Sequence, residues 1–118
     1  MTSQAQEHFP ISRDFYAKAH DALAQHDLLQ ASEKIWGATA HMVKAVAEGR
    51  GWEHSGHREL FQVVNRLANE SGDPELRHLF HVANSLHSNF YENWMAADWI
   101  ETGAEQIGEL LEKLESLP

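Results

Sequence analysis

The sequence contains no cysteine in its 118 residues, which excludes disulfide bonds and zinc sites built from thiolates. Proline occurs only three times and β-branched residues are sparse, so long helices meet little local resistance. No window approaches the roughly 18 consecutive apolar residues of a membrane-spanning helix. The polar N-terminal segment, residues 1–10, also lacks the apolar run of a signal peptide. These absences predict a cytoplasmic protein that does not contact a membrane.

Positive charge is also scarce, because nine lysines and arginines face eighteen aspartates and glutamates, for a formal net charge of −9. The basic residues are scattered along the chain rather than clustered. Binding to a nucleic-acid duplex rests on clusters of basic side chains that neutralise phosphates. We therefore expect no surface for duplex DNA, although a small pocket for a phosphate remains compatible with the composition.

Apolar residues recur at three- and four-residue spacing in five segments, and no stretch alternates with period two over the length of a strand. This pattern predicts one all-α domain, an antiparallel up-and-down bundle of four to five helices preceded by a flexible N-terminus, residues 1–10. The first helix is expected over about 12–26 and the second over about 29–48, ending at Gly49-Arg50-Gly51. The third should run from 55 or 56 to near 71. Asp73-Pro74 predicts the start of the fourth, and the fifth should begin around 98.

The predicted second helix carries a strip of small residues opposite its apolar stripe. The strip consists of Gly37, Ala38 and Ala45, with His41 between them. Small side chains allow another helix to approach closely. The approaching helix could belong to the same fold or to a second copy of the chain.

The predicted fourth helix crowds polar residues around its apolar stripe. Asn84, His87 and Tyr91 are separated by three and four residues, so they share one edge of the helix. A partly desolvated imidazole beside an amide and a phenol suits a general base or a polar-ligand site. With Asn89 and Glu92, these residues form the predicted binding set. The alternative interpretation is a buried histidine satisfied by a neighbouring helix, with Asn84 fixing the register of the bundle.

The turn at residues 50–58 combines cations, imidazoles, a hydroxyl group and backbone amides ahead of a helix N-terminus. Such a turn favours an anion, because free N–H groups and the helix dipole attract negative charge. The candidate catalytic residues are therefore Arg50 and His57 in this turn and His87 in the fourth helix. The alternative interpretation is a connecting loop anchored by Trp52.

The nine histidines raise the question of a metal site. Two sets have ligand chemistry: Glu53, His54 and His57 in the turn, and His78 with His81 on one helix face. The His-Glu-x-x-His signature of zinc hydrolases is absent, and no spacing requires a metal. We therefore expect neither a metal nor another cofactor.

Several segments together resemble a known superfamily. They are residues 31–38 (ASEKIWGA), 43–45 (VKA), Gly51-Trp52 with His57, and residues 86–92 (LHSNFYE). These segments are similar to the HEPN-like superfamily (higher eukaryotes and prokaryotes nucleotide-binding), in particular its branch of small archaeal and bacterial proteins that occur as paralogous repeats. The resemblance covers roughly residues 29–114. It implies an antiparallel helical bundle that is commonly dimeric.

The resemblance also implies a range of functions. Superfamily members include metal-independent endoribonucleases, often the toxins of toxin–antitoxin pairs, in which an Arg followed after four to six residues by a His cleaves RNA with the help of the 2′-hydroxyl. Arg50 and His57 have this spacing but follow the second helix, whereas only three residues separate Arg77 from His81. We therefore expect a nucleotide- or partner-binding module. The alternatives are a metal-independent endoribonuclease and a purely structural dimeric interaction protein. The expected partners are a second copy, a nucleotide or RNA, and a nucleotidyltransferase.

Overall fold

The structure, a computed structural model, describes residues 4–118, with side chains from Glu7 onward. Five helices and no strand occur in these residues, which confirms the predicted all-α bundle. None of the helices within this range combines the length and the apolarity that crossing a bilayer would require. The helices are α1 (Gln4–Ala24), α2 (Leu28–Arg50), α3 (His57–Ser71), α4 (Glu75–Glu92) and α5 (Ala97–Glu115).

Helix α2 lies at the centre of the bundle and packs against each of the other four helices. Its apolar and small residues are distributed around most of its circumference, so it is buried on several sides rather than along one stripe. Ile35, Met42 and Val43 are fully buried, and α4 and α5 add Phe80, Leu86 and a row of leucines and isoleucines to the same core. The two segments that carry the polar candidates, α2 and α4, therefore lie in direct contact.

Helix α1 begins at Gln4 and ends at Ala24, whereas the sequence predicted a helix from about 12 to 26. The prediction was wrong because Pro10 lies inside the helix. Proline disfavours a helix interior by local criteria, but here Phe9 packs on the core and His8 contacts His41 of α2. The predicted flexible segment, residues 1–10, falls partly outside the described residues, and its described part is helical.

The strip of small residues on α2 is covered by α1 of the same chain. The Phe15 ring lies 3.3 Å from the position that a Cβ atom on Gly37 would occupy. Ser12 donates a hydrogen bond from Oγ to the Ala38 carbonyl oxygen at 2.6 Å, and the Phe15 and His41 rings are stacked. The close helix approach expected from the strip is therefore made within the fold.

Three helix ends follow the signals in the sequence. Gly51 after α2 and Gly72 after α3 have left-handed φ values of 72° and 70°, which only glycine adopts without steric cost. Asp73 accepts a hydrogen bond at Oδ1 from the Glu75 backbone N–H at 3.1 Å, as expected of a residue that caps α4. The same Asp73 forms an ion pair with Lys113, which ties the start of α4 to the end of α5.

Asn89 is part of the fold rather than of an open binding surface. Its side chain is 1% exposed, and its Nδ2 group donates to the Ser32 Oγ atom of α2 at 3.0 Å. Its Oδ1 atom accepts from the backbone N–H groups of Trp94 and Met95 at 2.9 and 2.7 Å. All of its polar atoms thus have partners in the protein, which corrects its place in the predicted binding set. Asn89 joins α2, the end of α4 and the turn before α5.

We expect the substitution Asn89→Ala to lower the free energy of unfolding by about 2–4 kcal/mol, because it leaves two backbone N–H groups without partners and removes the donor to the Ser32 hydroxyl. Urea denaturation followed by circular dichroism measures the change. Gln30→Ala removes an exposed amide and should change stability by less than about 0.5 kcal/mol. Equal stability of the Asn89→Ala variant and the natural protein would contradict the structural role.

A pair of histidines joins α1 to α2. The Nδ1 atoms of His8 and His41 lie 2.9 Å apart, so one ring donates a hydrogen bond to the other. Burial lowers the pKa of His8, and the charges of Lys44 and His54 lower it further. Burial also lowers the pKa of His41, and the charges of His8 and Lys44 lower it further. The carboxylates of Glu48 and Glu7 raise the pKa of His8, but their effect is smaller than the lowering.

These shifts predict that acid destabilises the protein. The unfolded chain binds protons near the ordinary histidine pKa of 6.5, while His8 and His41 in the folded chain bind them only at lower pH. Because the unfolded state binds more protons in this range, stability should fall as the pH drops below about 6.5. Urea midpoints at pH 7.5 and 5 should differ less in a His8→Gln/His41→Gln variant than in the natural protein. Identical pH dependence of the two proteins would refute the prediction.

Candidate functional site

Three aromatic rings from three different helices meet on one side of α2. The Trp36 indole of α2 is buried, and the His87 imidazole of α4 stacks on it with a centroid separation of 4.6 Å and an interplanar angle of 24°. The His57 imidazole, the first residue of α3, lies 5.0 Å from the same indole. The two imidazole centroids are 5.5 Å apart, and their planes differ by 26°. We call Trp36, His57 and His87 the imidazole cluster.

The fold brings these rings together through the positions of the helix ends. After α2 ends at Arg50, the connecting segment runs back along α2. As a result, His57 at the start of α3 lies beside Trp36 of α2. His87 lies in the last two turns of α4, on the face that contacts α2. His57 and His87 were both candidates from the sequence, and the structure makes them neighbours.

Asn84 fixes the orientation of the His57 ring. Its Oδ1 atom lies 2.8 Å from His57 Nε2. A carbonyl oxygen only accepts hydrogen bonds, so Nε2 carries the proton in this arrangement. The neutral ring therefore keeps its lone pair on Nδ1. Asn84, a predicted binding residue, thus acts on the cluster by setting the tautomer of His57.

The carboxylate of Glu33 in α2 lies next to the His87 imidazole. Its Oε2 atom lies 3.8 Å from His87 Nδ1, and both atoms are buried without a hydrogen-bond partner. An approach of about 1 Å would form an N–H···O bond. Leaving such atoms unpaired costs about 1–3 kcal/mol each, so the pair favours a proton on Nδ1 that points at the carboxylate. That arrangement leaves the lone pair of the neutral His87 ring on Nε2.

The remaining members of the predicted binding set lie on the exposed side. Tyr91 meets His87 edge to face at a centroid separation of 5.4 Å and is 71% exposed, so it extends the cluster toward solvent. Glu92, the last residue of α4, is exposed. It makes no ion pair within the described part of the chain. Tyr91 joins the cluster, whereas Asn89 is turned into the core.

Arg50 does not reach the imidazole cluster. Its guanidinium group binds Glu70 Oε2 at 2.9 Å and the Pro118 carbonyl oxygen at 2.7 Å, and it lies over the Trp52 ring. Glu70 and His57 lie at opposite ends of α3, roughly 20 Å apart along the helix axis. The candidate catalytic residues Arg50 and His57 therefore lie apart in the structure. Spacing in sequence placed them together, but the direction of α3 separates them.

The sequence did not single out two members of this site. Trp36 entered only as part of the segment 31–38 that resembles the HEPN-like superfamily, and its buried ring contacts both imidazoles. Glu33 precedes Trp36 by three residues and therefore lies on the same side of α2. A charged residue next to the apolar stripe was the available signal. It became informative only once α4 was placed.

Three of the other histidines have side-chain hydrogen-bond partners in the described residues. His54 lies 2.7 Å from Glu48 Oε1, and His8 pairs with His41. Within the described residues, no group of three or more histidines and carboxylates is arranged to hold a metal ion. The imidazole cluster thus stands out because its two rings share a third ring rather than a carboxylate or a metal.

Comparison with known proteins identifies similarity in family and in fold. The profile of the Archaeal PaREP1/PaREP8 family matches residues 7–111. The crystal structure of a protein from Sulfolobus solfataricus superimposes with a TM-score of 0.78 over 98% of this chain and 96% of that chain, at 20% sequence identity. At this identity, the likeness concerns the fold. No curated protein sequence matches the chain significantly.

Proposed function

The chain belongs to the archaeal PaREP1/PaREP8 family, and we propose that this member is a small cytoplasmic nucleotide-binding module. The proposed ligand site is the imidazole cluster together with Tyr91. The observation that supports it is the contact of both His57 and His87 with the Trp36 ring, with Asn84 bonded to His57 and the Glu33 carboxylate 3.8 Å from His87. The kinship with the HEPN-like superfamily is part of the same proposal and rests on the segments around Trp36 and residues 86–92.

The chemistry of the cluster suits the sugar and base of a nucleotide. In the neutral tautomers favoured by Asn84 and Glu33, His57 Nδ1 and His87 Nε2 are hydrogen-bond acceptors. Ribose hydroxyls and exocyclic amino groups are the donors that such atoms accept. The exposed Tyr91 ring adds a surface for base stacking, an interaction worth about 1–3 kcal/mol per base.

Calorimetric titration with the four ribonucleosides and their monophosphates tests the proposal. We expect saturable binding of at least one of them, and a loss of about tenfold or more in affinity in the His87→Ala variant, because an acceptor and the stacked ring are removed. His78→Ala is the matched control, since His78 is an exposed histidine of the same helix. Absence of ligand heat, or equal affinity of the two variants, would remove the cluster as a nucleotide site.

A metal-independent endoribonuclease is the second candidate, favoured by the 5.5 Å separation of the two imidazoles. One neutral imidazole would remove the proton of a 2′-hydroxyl group while the other, protonated, gave its proton to the 5′-oxygen leaving group. The 2′-oxygen would form the bond to phosphorus as the bond to the 5′-oxygen broke. The products would be a 2′,3′-cyclic phosphate and a free 5′-hydroxyl.

RNA incubated with concentrated protein and a chelator tests this candidate. This candidate predicts cleavage that falls by at least about a hundredfold in both His57→Ala and His87→Ala, since general acid–base groups contribute about 10²–10⁴ in rate. His78→Ala should cleave like the natural protein. Intact RNA, or cleavage that survives both cluster substitutions, would exclude the enzyme.

The interaction-protein alternative has support elsewhere on the surface. Trp94 and Trp99 are 58% and 70% exposed, and with Met95 and Val82 they line a pocket of about 240 Å³ between α4 and α5. Exposed indoles are typical of protein-binding surfaces. The homodimer and the nucleotidyltransferase partner stay predictions.

A further inference from the structure

A cavity lies beside the imidazole cluster, between α3 and α4. Its volume is about 480 Å³, within the range of sites for small ligands. The apolar floor is formed by Phe61, Val64 and Phe80. The rim carries Arg58, Arg77 and His81. We call this cavity the arginine groove.

The two arginines of the groove are not neutralised by carboxylates. Arg77 donates from Nη1 to the amide oxygens of Asn65 and Asn69 at 3.1 and 3.2 Å, which orient the guanidinium group and leave its charge uncompensated. Neither Arg77 nor Arg58 forms an ion pair with any carboxylate in the part of the chain that the structure describes. Arg66, in contrast, pairs with Glu70.

Arginines without an acidic partner are unexpected in a chain with an excess of carboxylates. Carboxylates outnumber lysines and arginines by eighteen to nine, so most arginines could find an acidic partner. Arg13, Arg50 and Arg66 all do. Two guanidinium groups at one cavity without such a partner form a local positive field in an acidic protein. Guanidinium groups bind phosphate through parallel N–H···O bonds, so the groove is suited to a phosphate group.

The arginine groove and the imidazole cluster form one continuous surface. The Phe61 ring lies 5.4 Å from the His57 ring and 6.2 Å from the His81 ring. On α4, Asn84, which binds His57 of the cluster, follows His81 of the groove by three residues, so the two lie on the same face. The surface therefore offers the hydrogen-bond acceptors of the imidazoles on one side of the Phe61 ring and the positive charge of the arginines beside His81 on the other.

We propose that the arginine groove binds the phosphate chain of a nucleotide whose nucleoside lies at the imidazole cluster. This inference rests on the proposed nucleotide-binding function and specifies its ligand as a phosphorylated nucleoside. Arg58 and Arg77 bind the phosphate oxygens, and the Phe61 ring separates them from the ribose. The groove is a binding site for phosphate in its own right, so inorganic pyrophosphate also binds to it.

Calorimetry with adenosine, ADP and pyrophosphate tests the groove apart from the cluster. ADP should bind at least about tenfold more tightly than adenosine, because charge-assisted hydrogen bonds to phosphate add to those of the nucleoside. Arg58→Gln and Arg77→Gln should each remove most of this advantage and weaken pyrophosphate binding about tenfold or more, with adenosine binding unchanged. Arg66→Gln changes the net charge equally on the same helix as Arg58 and should preserve the advantage.

The outcomes separate the two proposals. Equal affinity for adenosine and ADP, or an equal loss in Arg66→Gln, overturns the groove and leaves the cluster standing. A different outcome is that pyrophosphate binds in a manner that depends on Arg58 and Arg77 while adenosine does not bind. This outcome supports the groove as a phosphate site and overturns the cluster as the nucleoside site. Because Arg58 is exposed and has no partner to lose in the described residues, its variant should fold, and its circular dichroism spectrum verifies this.

Discussion

The packing of two imidazoles against the buried Trp36 ring, His87 stacked on it and His57 tilted, is the interaction on which the site depends. Planar rings pack closely only when the elements that carry them keep a fixed distance and register. Trp36 belongs to the central helix, His57 begins α3 and His87 lies near the end of α4, so the stack fixes all three helices at one level. The Asn84 hydrogen bond and the nearby Glu33 carboxylate can then favour one tautomer of each ring that is already in place.

The helices and most of their ends were predictable from the sequence because they arise from local effects. The glycines at 51 and 72 and the aspartate at 73 act within one turn of their own position. The start of α1 was not predictable in the same way. Its first turns depend on contacts with α2, and these contacts outweigh the local cost of Pro10.

The candidate site was predictable in part, and for a related reason. Helical spacing placed Asn84, His87 and Tyr91 on one edge of α4, and the structure keeps them there. The same reasoning could not show that Asn89, two residues from His87, is used by the backbone after α4. Nor could it show that Arg50 lies far from His57. Arg50 binds Glu70 at the end of α3, whereas His57 is the first residue of that helix. The scattered arginines at 58 and 77 meet only through the packing of α3 on α4.

The proposed site requires that the three rings keep this geometry in solution. Nuclear Overhauser contacts between the Trp36 indole protons and the ring protons of His57 and His87 measure it most directly. Centroid separations of 5.0 and 4.6 Å predict cross-peaks from the indole to both imidazoles. If either imidazole shows no contact with the Trp36 indole while other contacts between α2 and α4 are present, the cluster does not exist as described.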